Sequence, residues 1–196
     1  MFWAYLLFAL FLIFYFFFFV KTFEYLYCSF IRRQVPFVPS DKILRGAVVH
    51  EINSCYKNAS RVIEVGSGFG GLARYIARNT NANVVALENM IFSASVSKFL
   101  DFITFQKKSK TVWQDAFKYI ENSNHRFDVA VAYLDPNITA RLIDYADKID
   151  VLISLNFQVD NLKPIKVIDL KSGCVYYNRK KYPNKLFVYD FRNLRK

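Results

Sequence analysis

The chain has 196 residues, with 27 Lys and Arg against 16 Asp and Glu, for a formal net charge of +11. That length holds one domain of ordinary size plus an appendage, and Cys28, Cys55 and Cys174 are too few and too widely spaced for a disulfide framework or a zinc site. Hydrophobic residues make up 54% and 21 residues are Phe, many of them within the first 30 positions, so an apolar segment precedes a domain of ordinary soluble composition.

Phe2 to Val20 is a run of 19 residues without charge. As a helix it extends about 28 Å, close to the thickness of a bilayer's hydrocarbon core. It is too long for a signal-peptide core, and no small-x-small site follows it, so an uncleaved transmembrane anchor is expected. Trp3, Tyr5, Tyr25 and Tyr27 suit aromatic belts. Lys21, Arg32 and Arg33 lie on the C-terminal side, which by the positive-inside rule puts the following domain in the cytoplasm or an equivalent matrix. The membrane would be a bacterial or a mitochondrial inner membrane. A basic surface beside such an anchor suits lipid headgroups with the fewest assumptions.

Val35-Pro36-Phe37-Val38-Pro39-Ser40 reads as a linker, because two prolines break a helix and hold extended backbone. Ser40 or Asp41 then caps a helix with Ile43, Leu44, Ala47, Val48 and Ile52 at helical spacing. That helix is expected to cover the ligand site from outside the sheet. His50 and Glu51 sit on it, and a solvated face is the expected place for both.

Arg61-Val62-Ile63-Glu64-Val65 is a short strand that runs into Gly66-Ser67-Gly68-Phe69-Gly70-Gly71, and Leu72 to Arg78 reads as a helix. In such a unit glycines allow a tight turn and close approach of a ligand, and the helix N-terminus offers free N–H groups. Gly66-x-Gly68-x-x-Gly71 satisfies the dinucleotide fingerprint. Glu64-x-Gly66-x-Gly68-x-Gly70 satisfies the acidic-first pattern of S-adenosylmethionine enzymes. Glu64 discriminates between them: a carboxylate repels a pyrophosphate but attracts a sulfonium and an ammonium group. On these residues the chain resembles the class I methyltransferases. The resemblance implies a Rossmann-like α/β fold with a seven-stranded, mostly parallel sheet, and S-adenosylmethionine held by Glu64, Gly66, Ser67, Gly68 and Gly70.

Asn83 to Glu88 reads as the second strand. Glu88 closes it, 24 residues after Glu64, where an acid can accept both ribose hydroxyls; Asn89 stands beside it. Met90 is suited either to the adenine ring or to ordinary core packing. Ser93 to Phe105 reads as a helix with an apolar face of Ala94, Val96, Phe99, Leu100 and Ile103. The basic run Lys107, Lys108 and Lys110 suits solvent or headgroups. Lys110 to Asp115 is the third strand. The resemblance puts Asp115 and Ala116 where adenine binds, with Asp115 accepting from the amino group; Asp115 equally suits a helix N-cap.

Arg126 to Leu134 forms a fourth, central strand. It ends in Asp135-Pro136, and the resemblance sets Tyr133 and Asp135 beside the transferred methyl group. A simple Asp-Pro turn is the other reading of Asp135. Asn137 to Lys148 reads as a helix and Asp150 to Leu155 as the fifth strand. Val167 to Leu170 and Leu186 to Phe191 are expected to complete the sheet as an antiparallel pair. Cys174 to Tyr177 reads as extended, and Asn178 to Pro183 as a basic turn.

Four features in order narrow the likeness: the apolar N-terminal segment, Val35-Pro36-Phe37-Val38-Pro39, the glycine loop, and Tyr133-Leu134-x-Pro136. With them the chain is similar to the small membrane-anchored lysine methyltransferases of ATP synthase subunit c and the adenine nucleotide translocase, and to their bacterial relatives. It departs from them at Asp135, where an apolar residue is familiar, and at Leu72, where an Arg-containing stretch is. The resemblance implies an anchor over residues 1–27, a linker over 28–40 and a methyltransferase domain over 41–196, with a membrane-protein lysine as acceptor and no metal. A quinone precursor or lipid headgroup is the alternative acceptor, and a non-catalytic binding module the alternative role. Nucleic acid is disfavoured, because Asn137 and Ile138 break the Asp-Pro-Pro-aromatic pattern of amino-methyltransferases after two residues.

Overall fold

The computed structural model describes residues 2–26, 39–160, 162–177 and 180–194. The chain divides into two units, Met1–Val38 and Pro39–Lys196. The expected linker up to Val38, and with it Tyr27, Cys28, Arg32 and Arg33, lies outside the described residues.

In the first unit one helix, α1, runs over Phe2–Leu26. Its Trp3–Val20 window has a mean hydropathy of 2.4 and none of it is buried. Length and apolarity therefore suit a membrane span; the core helix of a soluble protein and a signal sequence pass the same test.

The second unit alternates strands and helices: α2 (Lys42–Cys55), β1 (Arg61–Val65), α3 (Gly71–Asn79), β2 (Asn83–Glu88), α4 (Ile91–Ile103), β3 (Ser109–Trp113), α5 (Ala116–Glu121), β4 (Phe127–Ala132), α6 (Pro136–Ala140), β5 (Ile149–Leu155), β6 (Lys166–Tyr177) and β7 (Lys180–Asp190). The strands form one seven-stranded sheet in the order β3-β2-β1-β4-β5-β7-β6. β1 to β5 run parallel, and β7 pairs antiparallel with both β5 and β6. This is the expected Rossmann-like fold with its antiparallel pair.

Alternation along the strands builds two cores. Val62, Val84, Val129, Val131 and Val151 face one way, against Leu44, Val48 and Ile52 of α2 and Leu72 and Ile76 of α3. Ile63, Val65, Leu87, Ala130 and Leu152 face the other, against Phe117 and Ile120 of α5, Leu142 and Phe191. The strand order reverses between β1 and β4, so a crevice opens there at the carboxyl ends of the parallel strands.

Several expectations need correction. Glu51 is not solvated: it is 1% exposed and accepts from the Lys166 Nζ at 2.6 Å. It lies three residues after Val48 and so shares the inner face of α2, whereas His50 is exposed. α4 starts at Ile91, and its buried residues are Ser93, Ala94 and Ser97; Phe99 and Ile103 are exposed. The helix expected over 137–148 is the short α6 followed by a 3-10 turn over Arg141–Tyr145, in keeping with the poor helix formers Asn137, Ile138 and Thr139. Lys180 to Pro183 belong to β7 and are not a turn; Asn178 and Arg179 lie outside the described residues. Pro183 is tolerated because β5 pairs with β7 only from Leu186 to Asp190, so the edge facing β5 needs no donor at Pro183.

Candidate functional site

The loop after β1 turns on three glycines of positive φ, Gly66 (+74°), Gly68 (+55°) and Gly70 (+69°). Side chains rarely adopt this backbone, and the space is also closed. A Cβ on Gly66 would lie 2.4 Å from Leu134 Cδ2, and one on Gly70 would lie 2.2 Å from Ser97 Oγ. The Gly66 and Ser67 amides donate to the Leu87 carbonyl at 3.0 and 2.9 Å, and the Gly70 amide donates to the Ser67 carbonyl at 2.8 Å. The contact with Leu134 sets the segment after β4, with Tyr133 and Asp135, directly against the loop.

Glu64 lies at the foot of the loop. It is 6% exposed, and its Oε2 is buried without a hydrogen-bond partner; the Ser67 hydroxyl is in the same condition. Burial pushes the Glu64 carboxyl up to about 8, against the lowering effect of the Ala73 backbone N–H and the Arg74 charge, while the Glu88 charge adds to the rise. A buried carboxylate short of partners suits a cationic ligand group and opposes an anionic one. Glu88 is buried too. Its Oε2 accepts from the Gly68 amide at 2.7 Å and its Oε1 from the Met90 amide at 2.8 Å. Glu88 thus ties β2 to the loop. The neighbouring Asn89 carbonyl accepts from Trp113 Nε1 at 3.1 Å.

Sequence reasoning missed the brace beneath the loop. Arg74 donates through Nη2 to the Phe69 carbonyl, and through Nη1 to Asp101 Oδ1 at 3.1 Å. Asp101 Oδ2 accepts from Thr111 Oγ1 at 2.7 Å, and Thr111 Oγ1 lies 2.7 Å from Ser97 Oγ. One polar network therefore joins the loop, α3, α4 and β3. Its signal was the i, i+4, i+8 spacing of Ser93, Ser97 and Asp101, a polar stripe on one helix face.

Asp115 and Ala116 stand at the carboxyl end of β3, on the same edge of the sheet as the loop. Asp115 is exposed and caps α5, accepting from the Lys118 amide at 3.0 Å. Asp135 caps α6, accepting from the Asn137 amide at 2.8 Å. Both carboxylates thus serve as helix caps.

The Tyr133 hydroxyl accepts from Asn156 Nδ2 at 3.1 Å. Burial raises its pKa against the lowering effect of that bond, so Tyr133 is a neutral phenol at physiological pH. Asn156 has a positive φ of 65°. Its Nδ2 also donates to Asn184 Oδ1 at 3.0 Å, and Asn184 Nδ2 donates to Asp41 Oδ2 at 2.7 Å. Asp41 caps α2, accepting from the Leu44 amide at 2.7 Å, so a chain of amides links Tyr133 to the start of α2. The Tyr133 and Phe157 rings lie 6.5 Å apart, and Phe157 meets Tyr182 edge-on at 5.1 Å. Asn156 and Asn184 were not singled out in the sequence, because neither belongs to a spaced motif.

No family model matches the chain, and no curated protein matches it significantly. Solved structures do. An RNA methyltransferase from Salinibacter ruber, in complex with S-adenosyl-L-homocysteine, superposes with a TM-score of 0.60 at 16% identity, over 79% of this chain and 94% of that one. The fold is that of a class I methyltransferase. An S-adenosylmethionine-dependent methyltransferase from Thiobacillus denitrificans, also with S-adenosyl-L-homocysteine, gives 0.51 at 18% identity, over 68% of this chain and 54% of that one. A precorrin 8w decarboxylase from Methanobacterium thermoautotrophicum gives 0.57 at 13% identity, over 77% and 91%. These proteins carry different activities, so within the class I methyltransferase fold the chemistry has to be argued from the site.

Proposed function

We propose that the chain is an S-adenosylmethionine-dependent methyltransferase, held at a membrane by α1 and acting on a lysine of a membrane protein. The observation that carries this reading is Glu64: a buried carboxylate, short of a partner, beneath a loop of three positive-φ glycines. Ionised, it would face the cationic end of the cofactor. Glu88 would accept from the ribose hydroxyls and Asp115 from the adenine amino group, with Asn89 and Ala116 in the walls.

When bound, S-adenosylmethionine supplies a methyl group already activated as a sulfonium. The protein's task is to orient the nucleophile and take its proton. A lysine amine, with a pKa of about 10.4, must lose a proton before it attacks. Asp135, fixed by its cap bond, orients the amine and accepts that proton. Tyr133, held by Asn156 and flanked by Phe157, shapes an aromatic entrance. With the cofactor bound, the amine would be held in line with that methyl group, and its proton would leave through Asp135 to water. Asp135→Asn keeps the cap, since Asn caps as well as Asp. We expect unchanged stability and a kcat lower by roughly 100-fold; an unchanged kcat removes Asp135 from the mechanism.

α1 raises the effective concentration of membrane-bound acceptors, and the charge bias of Lys21, Arg32 and Arg33 favours the cytoplasmic or matrix face. The test is transfer of labelled methyl from S-adenosylmethionine into membranes lacking this chain, extracted into protein, lipid and nucleic-acid fractions. Label on one small membrane protein, lost with Gly68→Arg, is the expected result. Label in the lipid fraction overturns the lysine acceptor, and no label despite cofactor binding overturns catalysis.

A further inference from the structure

α4 is built inside out. Its buried residues are Ser93, Ala94 and Ser97, and Asp101 reaches inward to Arg74. Its outer face carries Ile91, Phe99, Phe102 and Ile103, with Phe102 76% exposed. On a 3.6-residue repeat these lie on one side of the helix, with the exposed Ser95, whose hydroxyl donates to the Ile91 carbonyl, among them. Folding of this domain does not require such a surface, because the inner face is satisfied by polar bonds. Apolar patches of this kind mark contact with a partner or a membrane.

Phe105 adds an independent observation. It follows the helix with a φ of +50° and is 84% exposed. Glycine is the usual residue at such a helix end, and a bulky side chain there is strained. Among the described residues nothing covers the ring, so neither packing nor backbone geometry explains a Phe at this position. Charge then selects the partner. Lys98 lies on the helix, Lys107, Lys108 and Lys110 follow it, and all four are exposed. An apolar stripe bordered by lysines is the pattern of a helix lying in an anionic bilayer interface.

We propose that the outer face of α4, with Phe105, docks on an anionic lipid surface, with the four lysines among the headgroups. α1 tethers the chain and α4 sets how the domain lies. α4 begins three residues after Glu88, at the carboxyl edge of the sheet, and runs back to the amino edge, where Phe105 and the following lysines stand. The proposal rests on the membrane reading of α1 but not on the cofactor.

The test uses the full chain in phosphatidylglycerol-containing nanodiscs, with a lipid carrying a photoreactive diazirine in its acyl chain and adducts mapped by mass spectrometry. Adducts are expected on residues 2–26 and, separately, on 91–105. Phe99→Asp with Phe102→Asp should lower the second set at least about fivefold and leave the first, while Phe99→Leu with Phe102→Leu retains both. Replacing phosphatidylglycerol with phosphatidylcholine should lower the second set by a similar factor. Adducts confined to 2–26, or a second set indifferent to the Asp pair, would overturn the proposal. Cross-links joining 91–105 of two copies, in place of lipid adducts, would overturn it in favour of a dimer face. Adducts absent from 2–26 would instead overturn the anchor.

Discussion

Glu64→Gln is expected to weaken S-adenosylmethionine binding by roughly 10- to 100-fold, the worth of one charge-assisted contact, and at the same time to stabilise the free protein at high pH. The sign follows from the raised pKa. Burial lifts the carboxyl from 4.5 to about 8, so between those values the folded chain holds a proton that the unfolded chain releases. Stability therefore falls as pH rises through that window, and the loss is complete above the folded pKa. Glutamine removes the loss. The variant should match the wild type near pH 4 and exceed it by on the order of 2–4 kcal/mol at pH 9, allowing for burial of the amide. The same titration controls binding: wild-type affinity should rise with pH up to about 8, as the carboxyl ionises to meet a cation, and the variant's affinity should stay flat. Thermal melts and calorimetric titrations from pH 5 to 9 check both. Equal affinities with flat pH profiles in both proteins would sink the role given to Glu64.

Asp101→Ala should cost about 3–5 kcal/mol, because it leaves the Arg74 guanidinium buried without its counter-charge. The pair is 3.1 Å apart, with the two side chains 11% and 12% exposed. The damage should spread to binding, since the same guanidinium holds the Phe69 carbonyl within the loop. A double variant, Asp101→Leu with Arg74→Met, should recover part of the stability but not the affinity, because the loop then lacks its brace. Urea denaturation and binding titrations separate the two effects. A single variant within about 1 kcal/mol of wild type would show that the network bears little of the loop's order.

The parts of the site that were legible in the sequence are those where one local rule suffices. β1 and β2 are short apolar runs bounded by turn residues. Gly66, Gly68 and Gly70 mark positive φ, and Glu88 falls at the end of its strand. Asp41 was legible as a cap because helical apolar spacing followed it directly. What was hidden depends on tertiary partners. α4 was read from its apolar residues, but its apolar stripe faces outward and its polar stripe carries the Arg74 network. Glu51 was assigned to solvent because charge usually is, yet Lys166, 115 residues away in sequence, draws it inward. Asn156 and Asn184 had no spacing to betray them, since they meet only when β5 and β7 pair. Asp115 and Asp135 both serve as helix caps, the turn and cap reading that each also allowed in the sequence.

The measurement that bears most directly on the central claim is a calorimetric titration of the full chain, in nanodiscs at pH 8, with S-adenosyl-L-homocysteine, S-adenosylmethionine and NAD in parallel. Micromolar or tighter binding of both adenosyl ligands is expected, with S-adenosylmethionine the more weakened by Glu64→Gln because it carries the extra sulfonium charge, and no measurable heat from NAD. Binding of NAD with neither adenosyl ligand would contradict the account, for it would mean that the loop receives a pyrophosphate despite Glu64.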